Sequence, residues 1–285
     1  MVSTAWPVVR LCPRRLCAAL VVLIGAAFGA SAADRASEVD LELVLAVDIS
    51  YSMDAEEQQI QRAGYASAIV SKPVLDAIAQ GLIGRIAVTY VEWAGADEQR
   101  TVVPWMLIDG AASAEAFAAR LTASPLRRAY RTSISGALLY SAKQFGTAGF
   151  SGGRQVIDVS GDGPNNQGET VANVRDELME RGVTINGLPL MLKRPSFAMM
   201  DVGDLDAYYR DCVIGGPGAF MVPVRGVEQF PDAVRTKLVM EIAGPGPEMP
   251  AIALPDRPTL AASERKATAA DCTSGEQLWR DRFGN

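Results

Sequence analysis

Residues 41–47 read Leu-Glu-Leu-Val-Leu-Ala-Val and stop abruptly at Asp48. A strand with one face in water alternates apolar and polar residues, whereas a strand covered on both faces is apolar almost throughout. This run is of the second kind, and it suits a central strand with helices packed on both sides. The segments after it supply them. Asp54 with Glu57 three residues on resembles a helix start, and Ile60, Ala63, Ala66 or Ser67, and Val70 recur at helical spacing until Pro73 breaks or restarts the helix. Ile86–Val91 is a second strand, Gly95–Gln99 a turn, and Thr101–Ile108 a third strand antiparallel to the second at a sheet edge.

Further along, Ala114–Leu121 forms a short helix, and Ile134, Ala137, Leu138, Ser141 and Phe145 mark one face of a longer one. Arg154–Ser160 is the next strand. Val171, Val174 and Leu178 mark a helix ending at Gly182, where a left-handed cap is common. Val183–Leu188 is a buried strand, Asp204–Asp211 a helix, Ala219–Pro223 a short last strand and Val227–Ile242 a closing helix. The alternation predicts an α/β fold, a three-layer, doubly wound, mostly parallel sheet with one antiparallel edge strand.

The chain has 285 residues, 49% of them apolar, enough for one large domain with a tail. Arg10, Arg14 and Arg15 precede an apolar run, Leu16–Ala30, and Ala30-Ser31-Ala32 closes it. That order of parts defines a signal peptide over residues 1–32, and the run of about 15 residues is shorter than the roughly 20 a spanning helix needs. The expected location is therefore exported, periplasmic or extracellular, with no membrane span once the signal is cleaved. Losing three arginines leaves 24 basic against 33 acidic side chains, a net charge of −9, which makes nucleic acid a poor partner. Residues 39–243 form the expected domain, 244–270 a Pro- and Ala-rich linker, and 271–285 a C-terminal tail that docks back through Leu278, Trp279 and Phe283. Cys12 and Cys17 leave with the signal. For Cys212 and Cys272, an oxidising compartment favours one disulfide, and two separate thiols are the other reading.

There is no histidine. Ser-His-Asp and Cys-His chemistry and histidine-ligated zinc or iron are thereby excluded, so a metal site here must be built from oxygen ligands. Three polar clusters fall at strand ends or helix starts, where ligands collect in doubly wound sheets. They are Asp48-Ile49-Ser50-Tyr51-Ser52, Arg131-Thr132-Ser133 and Ser160-Gly161-Asp162-Gly163. In an extended loop, residues two apart point the same way, so Asp48, Ser50 and Ser52 can converge.

Together these clusters resemble the metal-ion-dependent adhesion site (MIDAS) of von Willebrand factor type A domains. Asp48, Ser50 and Ser52 match the D-x-S-x-S loop, Thr132 with Gly136-Ala137-Leu138 the threonine segment, and Asp162-Gly163 the later aspartate. The sequence departs from the usual Thr-Asp-Gly, reading Gly161-Asp162-Gly163-Pro164-Asn165-Asn166, and in this is closest to secreted bacterial proteins of that type of unknown function. The resemblance implies Mg2+ or Mn2+ held by Asp48, Ser50, Ser52, Thr132 and Asp162. It also implies a non-catalytic, metal-dependent protein-binding module whose partner's carboxylate completes the coordination. Two other readings stand beside it: a metal-dependent phosphate-ester hydrolase using the Asp48 loop, and a structural envelope protein with a vestigial site. An aspartyl-phosphate enzyme would want a second acid at position 50, where the chain has serine. Asp158 is expected to be a hydrogen-bonded structural acid, Glu92-Trp93 at its strand end either borders the site or, for Trp93, belongs to the core, and Asn165, Asn166 and Gly215–Gly218 shape loops.

Overall fold

The run at 41–47 becomes the middle strand of a five-stranded sheet, with every residue from Leu41 to Asp48 buried. The structure, a computed structural model, describes residues 1–3, 36–192, 202–244 and 269–284. The expected signal peptide from residue 4 on, and the linker from 245 to 268, lie outside the described residues. Contacts divide the chain after Arg35, and residues from Ala36 onward form one unit.

In chain order this unit contains β1 (Ser37–Val39), β2 (Leu41–Asp48), α1 (Ala55–Ile69), α2 (Lys72–Ala79), β3 (Ile86–Trp93), β4 (Gln99–Ile108), α3 (Ala111–Ala123) and α4 (Ile134–Phe145). It continues with β5 (Phe150–Gly152), β6 (Gln155–Gly161), α5 (Val171–Glu180), β7 (Thr184–Pro189), α6 (Leu205–Tyr208), α7 (Phe230–Ala243) and α8 (Ser274–Phe283). The sheet order is β4-β3-β2-β6-β7, parallel throughout except for the antiparallel β3–β4 pair at one edge. The expected three-layer fold is the observed one.

Side-chain alternation along β2 divides the core. Leu41, Leu43, Leu45 and Val47 point into a layer with Tyr65, Ile69, Phe117, Phe230 and Leu238 from α1, α3 and α7. Val44 and Ala46 face the other way, onto Ile134, Leu138, Val174 and Tyr209. Both faces of the strand exclude water, which is why its sequence is apolar almost throughout; Glu42, the exception before Asp48, is buried and accepts from the Gly152 N–H at 2.7 Å. The capping box is formed: Asp54 accepts from the Glu57 N–H, and Glu57 accepts from the Asp54 N–H. Pro73 sits in the first turn of α2, where its missing N–H costs nothing.

Some expectations need correction. Residues 219–223 form no strand; there are only isolated bridges from Met221 to Gly187 and from Val224 to Leu190. Pro223 has no N–H to donate, and the Phe220 N–H goes to the Asn186 side chain at 3.0 Å instead of to a ladder. Two boundaries also move. The expected 204–211 helix is a four-residue α6 continued by a π-helical turn, Tyr209–Val213, and the closing helix starts at Phe230 after a 3-10 turn, Val227–Gln229. The parallel pair β1–β5 was not foreseen. Among the described residues no helix is long and apolar enough to cross a membrane.

Candidate metal centre

Strand register brings the first and third polar clusters together. Leu45 pairs with Asp158 and Val47 with Ser160, so β2 and β6 end side by side and release Asp48 and Asp162 into adjacent loops. A chain of short contacts joins them. The Ser50 N–H donates to Asp48 Oδ1 at 2.6 Å, the Ser50 and Ser52 hydroxyls lie 2.7 Å apart, and the Ser52 hydroxyl donates to Asp162 Oδ1 at 2.6 Å. Asp48 is fully buried, and its Oδ2 has no hydrogen-bond partner. Burial pushes its carboxyl well above the usual carboxylate range, and the charge of Asp162 pushes in the same direction. The N–H groups of Ser50 and Asp162 offset part of this.

Thr132 reaches the same end of the sheet by a different route. The Ala129 N–H bonds the Ile49 carbonyl at 3.1 Å, and Ala129 bridges to Ser50, which ties the threonine loop to the D-x-S-x-S loop. The Ser133 N–H bonds the Ala94 carbonyl beyond β3. Asn166 then grips Thr132 twice: its Oδ1 accepts from the Thr132 N–H at 3.0 Å, and its N–H donates to the Thr132 carbonyl at 2.8 Å. Asn165 Oδ1 accepts from the Ser135 N–H at 3.0 Å, at the start of α4. Ser133 caps that helix by accepting from the Gly136 N–H.

Asn165 and Asn166 are therefore the residues that sequence reasoning undervalued. They shape a loop as expected, but that loop joins the aspartate segment to the threonine segment. Their only signal in the sequence was their place three and four residues after Asp162.

Other singled-out residues have structural duties. Trp93 is core, and Glu92 is buried between Arg62 and Arg100, the latter at 3.3 Å. Asp158 pairs with Lys237 at 2.6 Å, and Lys237 also contacts Glu241. Cys212 and Cys272 form a disulfide. At the rim, the rings of Tyr51 and Tyr130 stack at 4.3 Å with Arg128 over Tyr51, and both tyrosines are exposed.

The donor set suits a hard divalent ion. Two carboxylates and three hydroxyls are all oxygen donors, and the orphaned, buried Asp48 Oδ2 beside a second carboxylate has the electrostatic deficit that a cation would fill. Among the described residues no group of three or more carboxylate, thiolate or imidazole side chains could hold a metal.

A family model described as "Protein of unknown function (DUF1194)" matches residues 38–246. The chain belongs to this family. No curated protein matches the DUF1194 chain. Among solved structures it is similar to proximal thread matrix protein 1 from the mussel byssus, with a TM-score of 0.54 and 15% identity over 73% of this chain and 49% of that one. A second structure of the mussel protein has a zinc-occupied MIDAS motif and gives a TM-score of 0.50, 14% identity, and 73% and 48% coverage. The pilus adhesin SpaC from Lactobacillus rhamnosus GG gives 0.53 at 10% identity, covering 72% of this chain and 31% of the adhesin. The DUF1194 chain thus spans about half the length of the mussel protein and about a third of the adhesin. The likeness establishes the fold, which is of the von Willebrand A type.

Proposed function

We propose that the chain is an exported, non-catalytic protein-binding module that acts outside the cytoplasm through a divalent metal, Mg2+ or Mn2+. Asp48, Ser50, Ser52, Thr132 and Asp162 would hold the ion. When bound, the ion supplies a coordination position for a carboxylate from a partner protein. The chain's own residues set how strong that attraction is. Two aspartates contribute about −2 of charge and three hydroxyls contribute none, so the protein only just balances a divalent ion and an anionic partner still gains by approaching. A third acidic ligand would cancel that gain.

The observation that carries this reading is the fully buried Asp48 with an unpartnered oxygen, linked through Ser50 and Ser52 to Asp162. The zinc-occupied MIDAS of the mussel protein and the adhesive role in the pilus protein's name support it by analogy of fold. The serine at position 50 argues against an aspartyl-phosphate route for the phosphate-ester hydrolase reading.

Two assays test the reading. Affinity capture from an envelope extract should retain a partner with magnesium, release it with chelator and fail with Thr132→Ala. A phosphatase assay in excess magnesium should show no turnover; turnover abolished by Asp48→Ala would overturn the non-catalytic assignment.

A further inference from the structure

Helix α8 and the residues just before it lie against the loops that carry Thr132 and Asp162, and a disulfide, two hydrogen bonds, a close backbone approach and a cation–ring contact hold them there. The Cys212–Cys272 disulfide joins positions 60 apart in sequence, and the Ala270 N–H donates to Asp211 at 2.9 Å beside it. Gly275 approaches Asn165 so closely that a Cβ on it would lie 2.1 Å from the Asn165 carbonyl oxygen, a backbone atom that has no rotamer with which to move away. Glu276 Oε1 accepts from Asn165 Nδ2 at 2.7 Å. On the neighbouring loop, the Arg131 guanidinium covers the Trp279 ring at 3.1 Å from its centroid.

The residues that α8 touches are those that fix the candidate ligands. Asn165 holds the Ser135 N–H at the start of α4, and its neighbour Asn166 makes two hydrogen bonds with Thr132. Arg131 directly precedes Thr132 and has φ of +75°, the left-handed region that a side chain seldom adopts unless its surroundings hold it. Among the described residues it is the only non-glycine with positive φ. The helix thus contacts Arg131, the residue before Thr132, and Asn165, whose neighbour Asn166 holds the Thr132 backbone N–H and carbonyl.

We propose that α8 is a positioning element of the metal site: through Gly275, Glu276 and Trp279 it braces Asn165 and Arg131, and with the disulfide as tether it sets the site's affinity for the ion. The claim rests on the metal-binding reading above. It assigns a role to residues outside the matched family region, 38–246, and makes the site sensitive to thiol reductants.

The test is calorimetric titration of Mn2+ into the full oxidised chain and its variants, together with thermal unfolding in chelator. Glu276→Ala removes the acceptor for Asn165, and Gly275→Ala forces α8 off the loop. Each should weaken Mn2+ binding about tenfold, the scale seen when a side chain that orients a metal ligand is lost. Glu276→Gln keeps an acceptor oxygen and should bind like the parent chain. Reduction should weaken binding as well, and because the two substitutions leave the disulfide intact, they decide the question even if the reduced chain unfolds. If the parent chain binds Mn2+ and both variants bind it equally well, while melting lower in chelator, α8 is only a stabilising brace and the inference is overturned. If the parent chain itself fails to bind, the metal-binding reading falls and this inference falls with it.

Discussion

A carboxylate shut away from water beside a second carboxylate is costly to keep ionised, and Asp48 is held in that position by its place at the end of a fully buried strand. In the metal-free chain a raised carboxyl contributes stability that is fully present below the ordinary carboxylate range and is lost as pH rises through the higher folded value. Asn at this position keeps an oxygen for the Ser50 N–H and has no charge to bury. In chelator, thermal melts across pH should therefore show Asp48→Asn losing less stability than the parent between acidic and mildly alkaline pH. A variant that follows the parent curve would show that the charge of Asp48 is not strained. Spacing alone pointed to the convergence of Asp48, Ser50 and Ser52, and the family resemblance added Thr132 and Asp162; the structure links Asp48, Ser50, Ser52 and Asp162 by hydrogen bonds. The grip of Asn165 and Asn166 was not legible in the sequence, since an amide that will be buried reads the same there as one that caps a turn.

At the scale of elements, α1 leads directly out of the D-x-S-x-S loop, and its capping box fixes where the loop ends. Asp54→Ala removes the acceptor for the Glu57 N–H and should cost about 1 kcal/mol in chemical unfolding, the usual price of a lost helix cap. No change in the unfolding midpoint would mean that another group takes over the cap. The elements that sequence reasoning found were those whose periodicity spans several residues. Helix α4 showed its apolar face, and β2 showed burial on both sides. The short strands β1 and β5, three residues each, are too brief to show any period. Residues 219–223 misled in the opposite direction: Ala-Phe-Met-Val is strand-like in composition, but Pro223 and the Phe220–Asn186 bond leave only single bridges beside β7.

Across the whole molecule, a second buried polar cluster lies beneath the sheet, where Asp158 of β6 and Glu241 of α7 both contact Lys237. Asn186 Nδ2 also donates to Glu241, at 3.1 Å. Burial first, then the charge of Asp158, push the Glu241 carboxyl up to about 7 from an ordinary value of 4.5, more than Lys237 and Asn186 pull it back. Its contribution to stability is thus fully present below pH 4.5 and lost as pH rises through about 7. Glu241→Gln should flatten that part of the stability–pH profile in denaturant titrations, and an unchanged slope would contradict the assignment. This cluster joins β6, β7 and α7, and so supports from below the strand ends that carry the candidate ligands at the top. The Asp158–Glu241 cluster is balanced internally by Lys237, whereas in the proposed function a cation from solution balances Asp48 and Asp162. The most direct test of that account is the thermal unfolding midpoint of the oxidised chain with and without millimolar Mg2+ or Mn2+, for the parent and for Asp48→Ala. The account predicts that the metal raises the parent's midpoint in a concentration-dependent manner and leaves Asp48→Ala unmoved. A parent chain that ignores both ions, or a variant that is stabilised as much as the parent, would contradict it.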